Sequence, residues 1–179
     1  MAKKIAQFNK EMHSTEICWN REKAISHEVK KAYKNIEILK DYVEEEIIDQ
    51  LFQYAKLFED YLKSKKQFCI THGDLWADNL IVNDNNELSG IIDFGNMSYF
   101  LPEVDYASMW NMTEGFLDLL IKFNKEDMTK ENIYLFVMHR ELCSFEYIIT
   151  ADPEDVSSQL EKIKTALNLI YKQTTKQYV

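Results

Sequence analysis

The sequence predicts an α+β fold that is mostly helical, with a small strand set carrying one polar loop. Three observations predict it. The chain has only four Gly and two Pro in 179 residues, so tight turns are few and long helices dominate. Most of its length shows apolar residues at helical spacing. The stretch from Cys69 to Gly95 breaks that rhythm and reads strand, loop, strand, turn, strand.

Taken in order, residues 2–14 read as a helix with Ile5, Phe8 and Met12 on one face. His13 closes it, where the helix dipole favours a cation. A second helix is expected from Ser26 to Leu39, striped by Val29, Tyr33, Ile36 and Leu39. A third starts at Asp41, with Glu44 three positions on as in a capping box. Its apolar face is Ile47, Leu51, Ala55, Phe58 and Leu62, and Lys63, Lys65 and Lys66 close its last turns.

Phe68 to Thr71 is the strand that enters the loop His72-Gly73-Asp74-Leu75-Trp76-Ala77-Asp78-Asn79. Leu80–Asn83 and Leu88–Ile92 flank Asp84-Asn85-Asn86 and form a hairpin. The two ends of an antiparallel pair lie on one side, so Asn79, before the first strand, and Asp93, after the second, come together. Residues 94–104 read as a loop. Val104–Met112, Phe116–Phe123 and Asn132–Thr150 read as helices. Asp152-Pro153 then marks a helix start, with Asp at the cap and Pro first. Leu160, Ile163, Leu167 and Ile170 form its seam, and residues 173–179 form a polar tail.

Composition narrows the function classes. A net charge of −9 argues against nucleic-acid or membrane-surface binding and suits a cationic small-molecule substrate. No apolar run reaches the length of a membrane span, and the polar, Lys-rich start lacks a signal-peptide core, so a cytoplasmic protein is expected. Cys18, Cys69 and Cys143 have no metal-like spacing; Cys69 and Cys143 sit in apolar segments and read as buried, inert thiols. Trp19 and Trp110 read as core or edge packing rather than substrate-stacking rings.

The polar positions point to phosphoryl transfer. That chemistry asks the protein for a base or orienter beside the accepting hydroxyl and for oxygen ligands to Mg²⁺ on the phosphates. An Asp, an Asn five residues on, and an Asp before Phe-Gly supply that set in protein kinases. Asp74, Asn79 and Asp93 match it in order and type. Asp78 is a further ligand only if it turns inward, and a solvent-facing side chain is the expected state.

HGDLWADN, then GIIDFG, then Leu101-Pro102-Glu103-Val104-Asp105-Tyr106-Ala107 resembles the aminoglycoside phosphotransferase and choline kinase-like superfamily, small-molecule kinases with a protein-kinase-like fold. The resemblance implies that Asp74 is catalytic, that Asn79 and Asp93 hold Mg²⁺, and that ATP or GTP is the phosphoryl donor. His72, Gly73 and Asp105 become scaffold of the loop. Glu141 and Glu146 are weaker candidates for substrate ammonium groups, against a solvated stripe or a partner for Arg140. Trp76 stands where antibiotic kinases often have His, and Leu-Trp there is more similar to fructosamine kinases. The substrate expected is therefore an aminoglycoside-like antibiotic or related amine, with fructosamine-like sugars or choline as alternatives.

The chain shows no G-x-G-x-x-G, no P-loop and no strand Lys of the Val-Ala-Ile-Lys kind. It also starts at the first helix of the C-terminal lobe in this superfamily. The expectation is a single domain, residues 1–179, that is the C-terminal lobe without its nucleotide-binding half. Such a lobe would be inactive alone, or else a non-catalytic remnant or binding module. Its open face would take an N-lobe or a second copy of the chain.

Overall fold

The computed structural model describes all residues except 16–18, 114, 125–127 and 175–179. In chain order the elements are α1 (Ala2–His13), α2 (Arg21–Leu39), α3 (Glu45–Ser64), β1 (Cys69–Thr71), β2 (Leu80–Val82), β3 (Leu88–Ile91), β4 (Ser98–Phe100), α4 (Glu103–Ala107), α5 (Phe116–Phe123), α6 (Lys130–Ala151) and α7 (Val156–Thr174). Short 3₁₀ turns lie at Ala77–Asn79, Phe94–Asn96 and Pro153–Asp155. The fold is thus α+β and mostly helical, with two small antiparallel strand pairs. No described helix is long and apolar enough to cross a membrane.

The chain divides into two compact units. The first comprises residues 1–21 and 67–133. Here α1 packs on α5 and β1, burying Ile5 and Ala6 from α1 and Leu117 and Leu120 from α5. β1 pairs with β4, Cys69 opposite Phe100 and Thr71 opposite Ser98. β2 pairs with β3, Leu80 opposite Ile91, and an irregularity between Ile81 and Val82 shifts the register toward the turn.

The second unit comprises residues 22–66 and those from 134 onward. Its core includes Ile36, Leu51, Phe58, Leu62, Phe136, Leu142, Phe145 and Ile163, all within 1% of full burial. Helical periodicity places these side chains on inward faces. The buried Tyr54 hydroxyl donates to the Leu135 carbonyl at 3.1 Å, and Tyr171 donates to the Gln50 carbonyl at 2.9 Å. Asn35, also buried, accepts from the Glu146 amide at 3.2 Å and donates to the Lys31 carbonyl at 3.0 Å.

His139 and Glu28 form the charged element of this unit, with Nε2 donating to Oε2 at 2.8 Å. Burial is the largest influence on the ring and opposes its charge; Cys143 and Glu28 together outweigh it and hold the pKa at about 9. Burial likewise opposes the Glu28 carboxylate, but His139, with smaller help from Lys31 and His27, keeps its pKa below the ordinary value. A raised histidine pKa stabilises the fold fully below the unfolded value of 6.5 and is lost as pH rises through about 9. Urea titrations should therefore lose on the order of 2–3 kcal/mol across that window. His139→Gln should flatten the profile; an unchanged slope in that variant would assign the loss elsewhere.

Several expectations are corrected. α3 starts at Glu45, with Glu44 in the cap position and no side-chain cap bond. Asp41 is instead taken up by the turn that ends α2, where the Tyr42 and Val43 amides both donate to the Leu39 carbonyl. Residues 94–104 are not all loop, because Ser98–Phe100 adds β4 to β1. Three residues carry no periodic signal, and their partner lies about thirty positions away. The helix expected over 104–112 is only α4; beyond Ala107 the bonds tighten to three-residue steps, Met109 to Tyr106 and Met112 to Met109.

Pro153 opens a 3₁₀ turn ahead of α7 rather than α7 itself, and Asp152 makes no side-chain cap bond. In α7 the buried seam is Gln159, Ile163, Ala166 and Leu167, with Leu160 and Ile170 at its margins. Trp19 is exposed rather than packed, whereas Trp110 is half-buried. Cys69 is buried, but Cys143 is only half-buried. Cys18 and tail residues 175–179 lie outside the described residues.

Candidate active site

The loop after β1 is built on backbone groups that find partners far along the chain. Gly73 sits at φ +80°, in the left-handed region that suits glycine. A Cβ there would lie 2.2 Å from the Asn96 carbonyl oxygen, so the backbone of the segment after β3 closes directly on it. Asp105, from α4, accepts from the Gly73 amide through Oδ1 at 2.8 Å and from the His72 amide through Oδ2 at 3.0 Å. The same Oδ2 meets His13 Nε2 at 3.0 Å. The Asp105 side chain is fully buried, so all three contacts are made out of water.

His72 holds the other side of the loop. Its Nε2 lies 3.0 Å from the Ile92 carbonyl, and the Asp74 amide donates to Nδ1 at 3.4 Å. These partners fit the tautomer with its proton on Nε2. Its ring also meets that of Phe94 at 4.7 Å, and Phe94 meets Phe8 of α1 edge-on at 6.2 Å.

Asn79 ends the 3₁₀ turn and is buried. Its Nδ2 donates to the Asp74 carbonyl at 2.8 Å and approaches Asp74 Oδ2 at 3.5 Å. With the nitrogen so committed, Oδ1 is the face of the amide left to accept. The Ile92 amide donates to the Asn79 carbonyl at 3.0 Å, extending the Leu80–Ile91 pairing by one step. Asp93 therefore follows directly on the residue bonded to Asn79. Asp93 is itself in the left-handed region, φ 61° and ψ 69°, and its Oδ1 accepts from the Gly95 amide at 3.3 Å. Asp tolerates that conformation better than most residues, although it stores strain at this position.

The structure thus brings Asp74, Asn79 and the backbone leading to Asp93 together, with His72, Gly73 and Asp105 around them. Asp78 is exposed. Glu141 and Glu146 belong to the second unit. Glu141 is buried, accepts from Gln159 Nε2 at 3.0 Å, and lies 3.9 Å from Arg140. Glu146 pairs with Lys34 at 2.5 Å.

His13 enters this network through a contact that sequence reasoning missed. The dipole argument accounts for a histidine at the end of α1 but gives no sign of a partner ninety-two positions away. Phe94 was legible only as part of Asp-Phe-Gly. Among the described residues no group of three His, Cys, Asp or Glu side chains is placed to hold a metal ion. A metal here would rest on one carboxylate and one amide oxygen, a share that suits Mg²⁺ completed by waters and phosphate oxygens.

Comparison with known proteins agrees with this architecture. The wild-type aminoglycoside 2′-phosphotransferase-IIIa, solved as a GDP complex, is 23% identical with a TM-score of 0.71, over 93% of this chain and 60% of that one. The gentamicin complex of APH(2″)-IIa is 18% identical with a TM-score of 0.68, over 94% and 63%. Choline kinase LicA from Streptococcus pneumoniae is 18% identical with a TM-score of 0.68, over 96% and 63%. At such identities the likeness is one of fold, and the chain spans about three fifths of the length of these proteins. No curated protein matches it. The profile of the phosphotransferase enzyme family matches residues 1–128, from α1 through the whole loop network, and the chain belongs to that family.

Proposed function

We propose that this chain is the C-terminal, substrate-side lobe of a small-molecule kinase that moves the γ-phosphoryl group of ATP or GTP to a hydroxyl. The observation that carries the reading is the Asn79 clamp. One amide nitrogen fixes the Asp74 backbone while the Asn79 carbonyl fixes the strand end that delivers Asp93.

In this reading Asp74 orients the accepting hydroxyl and takes its proton as the new O–P bond forms and the bond from the γ-phosphorus to the departing nucleoside diphosphate breaks. Asn79 Oδ1 and the Asp93 carboxylate would hold Mg²⁺, which supplies neutralising charge to the phosphate oxygens. His72, Gly73 and Asp105 keep the loop at fixed geometry, so little reorganisation is needed during transfer. The substrate proposed is a small polyamine alcohol of the aminoglycoside kind, consistent with the net charge of −9.

These 179 residues contain no G-x-G-x-x-G or P-loop motif, so the phosphate clamp of such a kinase would come from a separate lobe. The chain alone should show little or no nucleotide turnover, and a separately supplied N-terminal lobe should restore it. Robust turnover by the chain alone would remove the two-lobe reading. Metal binding tests the site independently of turnover. Mn²⁺ titration followed by water-proton relaxation should show weak binding that Asp93→Asn weakens about tenfold further. Equal binding by the variant would exclude Asp93 as a ligand.

A further inference from the structure

The end of α1 meets the catalytic loop through a contact that the helix itself does not require. Its last carbonyls are served locally: the Ser14 amide donates to Lys10 at 3.1 Å, the Thr15 amide to Met12 at 3.1 Å, and Ser14 Oγ to Glu11 at 2.8 Å. The His13 side chain, 4% exposed, instead aims Nε2 at Asp105 Oδ2, 3.0 Å away. A carboxylate only accepts, so Nε2 carries the proton in this pair.

Asp105 Oδ2 is shared between His13 and the His72 amide, while Oδ1 takes the Gly73 amide. The two loop amides belong to consecutive residues, so the plane of the carboxylate sets how the chain enters Asp74. With loop donors alone, that carboxylate would swing with the loop; a donor from another element pins it. The element is itself anchored, since Ile5 and Ala6 of α1 are buried. α1 also reaches this region a second time, through Phe8 on Phe94 and Phe94 on the His72 ring. Phe94 directly follows Asp93. One helix thus braces both the loop that carries Asp74 and the turn that begins at Asp93.

We propose that His13 is a positioning residue of this site: its Nε2–H fixes the Asp105 carboxylate, and through it the His72–Gly73 backbone that presents Asp74. His13 touches no reacting group, and its part in phosphoryl transfer rests on the reading proposed above. A misplaced Asp74 loses rate of transfer rather than affinity for nucleotide.

His13→Gln and His13→Asn differ by one methylene and test this. The Gln amide nitrogen reaches about as far as Nε2, the Asn nitrogen only as far as Nδ1. Amide exchange of the full chain, followed by NMR, should be roughly tenfold faster at His72 and Gly73 in His13→Asn, and within about threefold of the original protein in His13→Gln. Unchanged loop exchange in His13→Asn, or equal acceleration of the α5 amides, overturns the proposal. Should His13→Asn fail to fold, the unsubstituted protein decides: the His13 Nε2 proton should be visible and protected, and a ring protonated on Nδ1 alone overturns the proposal. With an N-terminal lobe supplied, His13→Asn should lower kcat on the order of 100-fold at unchanged nucleotide KM, and His13→Gln should recover most of it. A loss in KM alone overturns the positioning role. The expected exchange pattern in a protein that shows no turnover even with that lobe removes the transferase reading and leaves the placement of the loop by His13 supported.

Discussion

Asp105→Ala is expected to destabilise the chain by roughly 3–5 kcal/mol, the scale for removing one partner from a buried, hydrogen-bonded charged network. One carboxylate satisfies the His72 amide, the Gly73 amide and the His13 ring. Alanine removes the acceptor of the His72 and Gly73 amides in a place water does not fill, and each orphaned amide costs about 1–3 kcal/mol. Asp105→Asn should cost less, since its single oxygen still serves one amide. Urea denaturation of the three proteins gives the ordering. Amide hydrogen exchange at His72 and Gly73 should speed up most in the alanine variant. A loss below about 1 kcal/mol would mean that other contacts hold the loop.

Gly73→Ala is expected to cost about 3 kcal/mol, from two separable causes. A left-handed conformation costs an L-residue about 1–2 kcal/mol, and forcing a methyl group into occupied space adds about 1–3 kcal/mol. The occupant is the Asn96 carbonyl oxygen at 2.2 Å, which is backbone and cannot rotate away as a side chain would. Gly115→Ala is the internal control. Gly115 has nearly the same φ, +74°, but nothing within 4 Å of its added Cβ, so only the first cost applies. Thermal melts should show Gly73→Ala well below Gly115→Ala. Equal melting temperatures would show that the Asn96 segment yields at little cost.

Both predictions concern contacts that join residues far apart in sequence, and this is where sequence reading stopped. The helices were legible because their apolar residues recur along a continuous segment, as in α3 and α7. The hairpin was legible because its two strands are separated only by a polar turn. The start of α3 and the length of α4 differ from expectation because local signals compete. Asp41 is a good cap residue, but the turn that ends α2 had already taken it. Met109, Trp110 and Met112 suit a helix, yet the backbone bonds there tighten and end it.

The sequence by itself determined that Asp74, Asn79 and Asp93 sit at strand ends at spacings suited to phosphoryl transfer, since residue type and register follow from local pattern. Only the tertiary structure decided what holds them. β4 closing on β1, Asn96 closing on Gly73, and Asp105 joining His13 to the loop depend on which distant backbone groups meet in space. Hydrogen-bond satisfaction of buried groups selects those partners, and no periodicity along the chain encodes them.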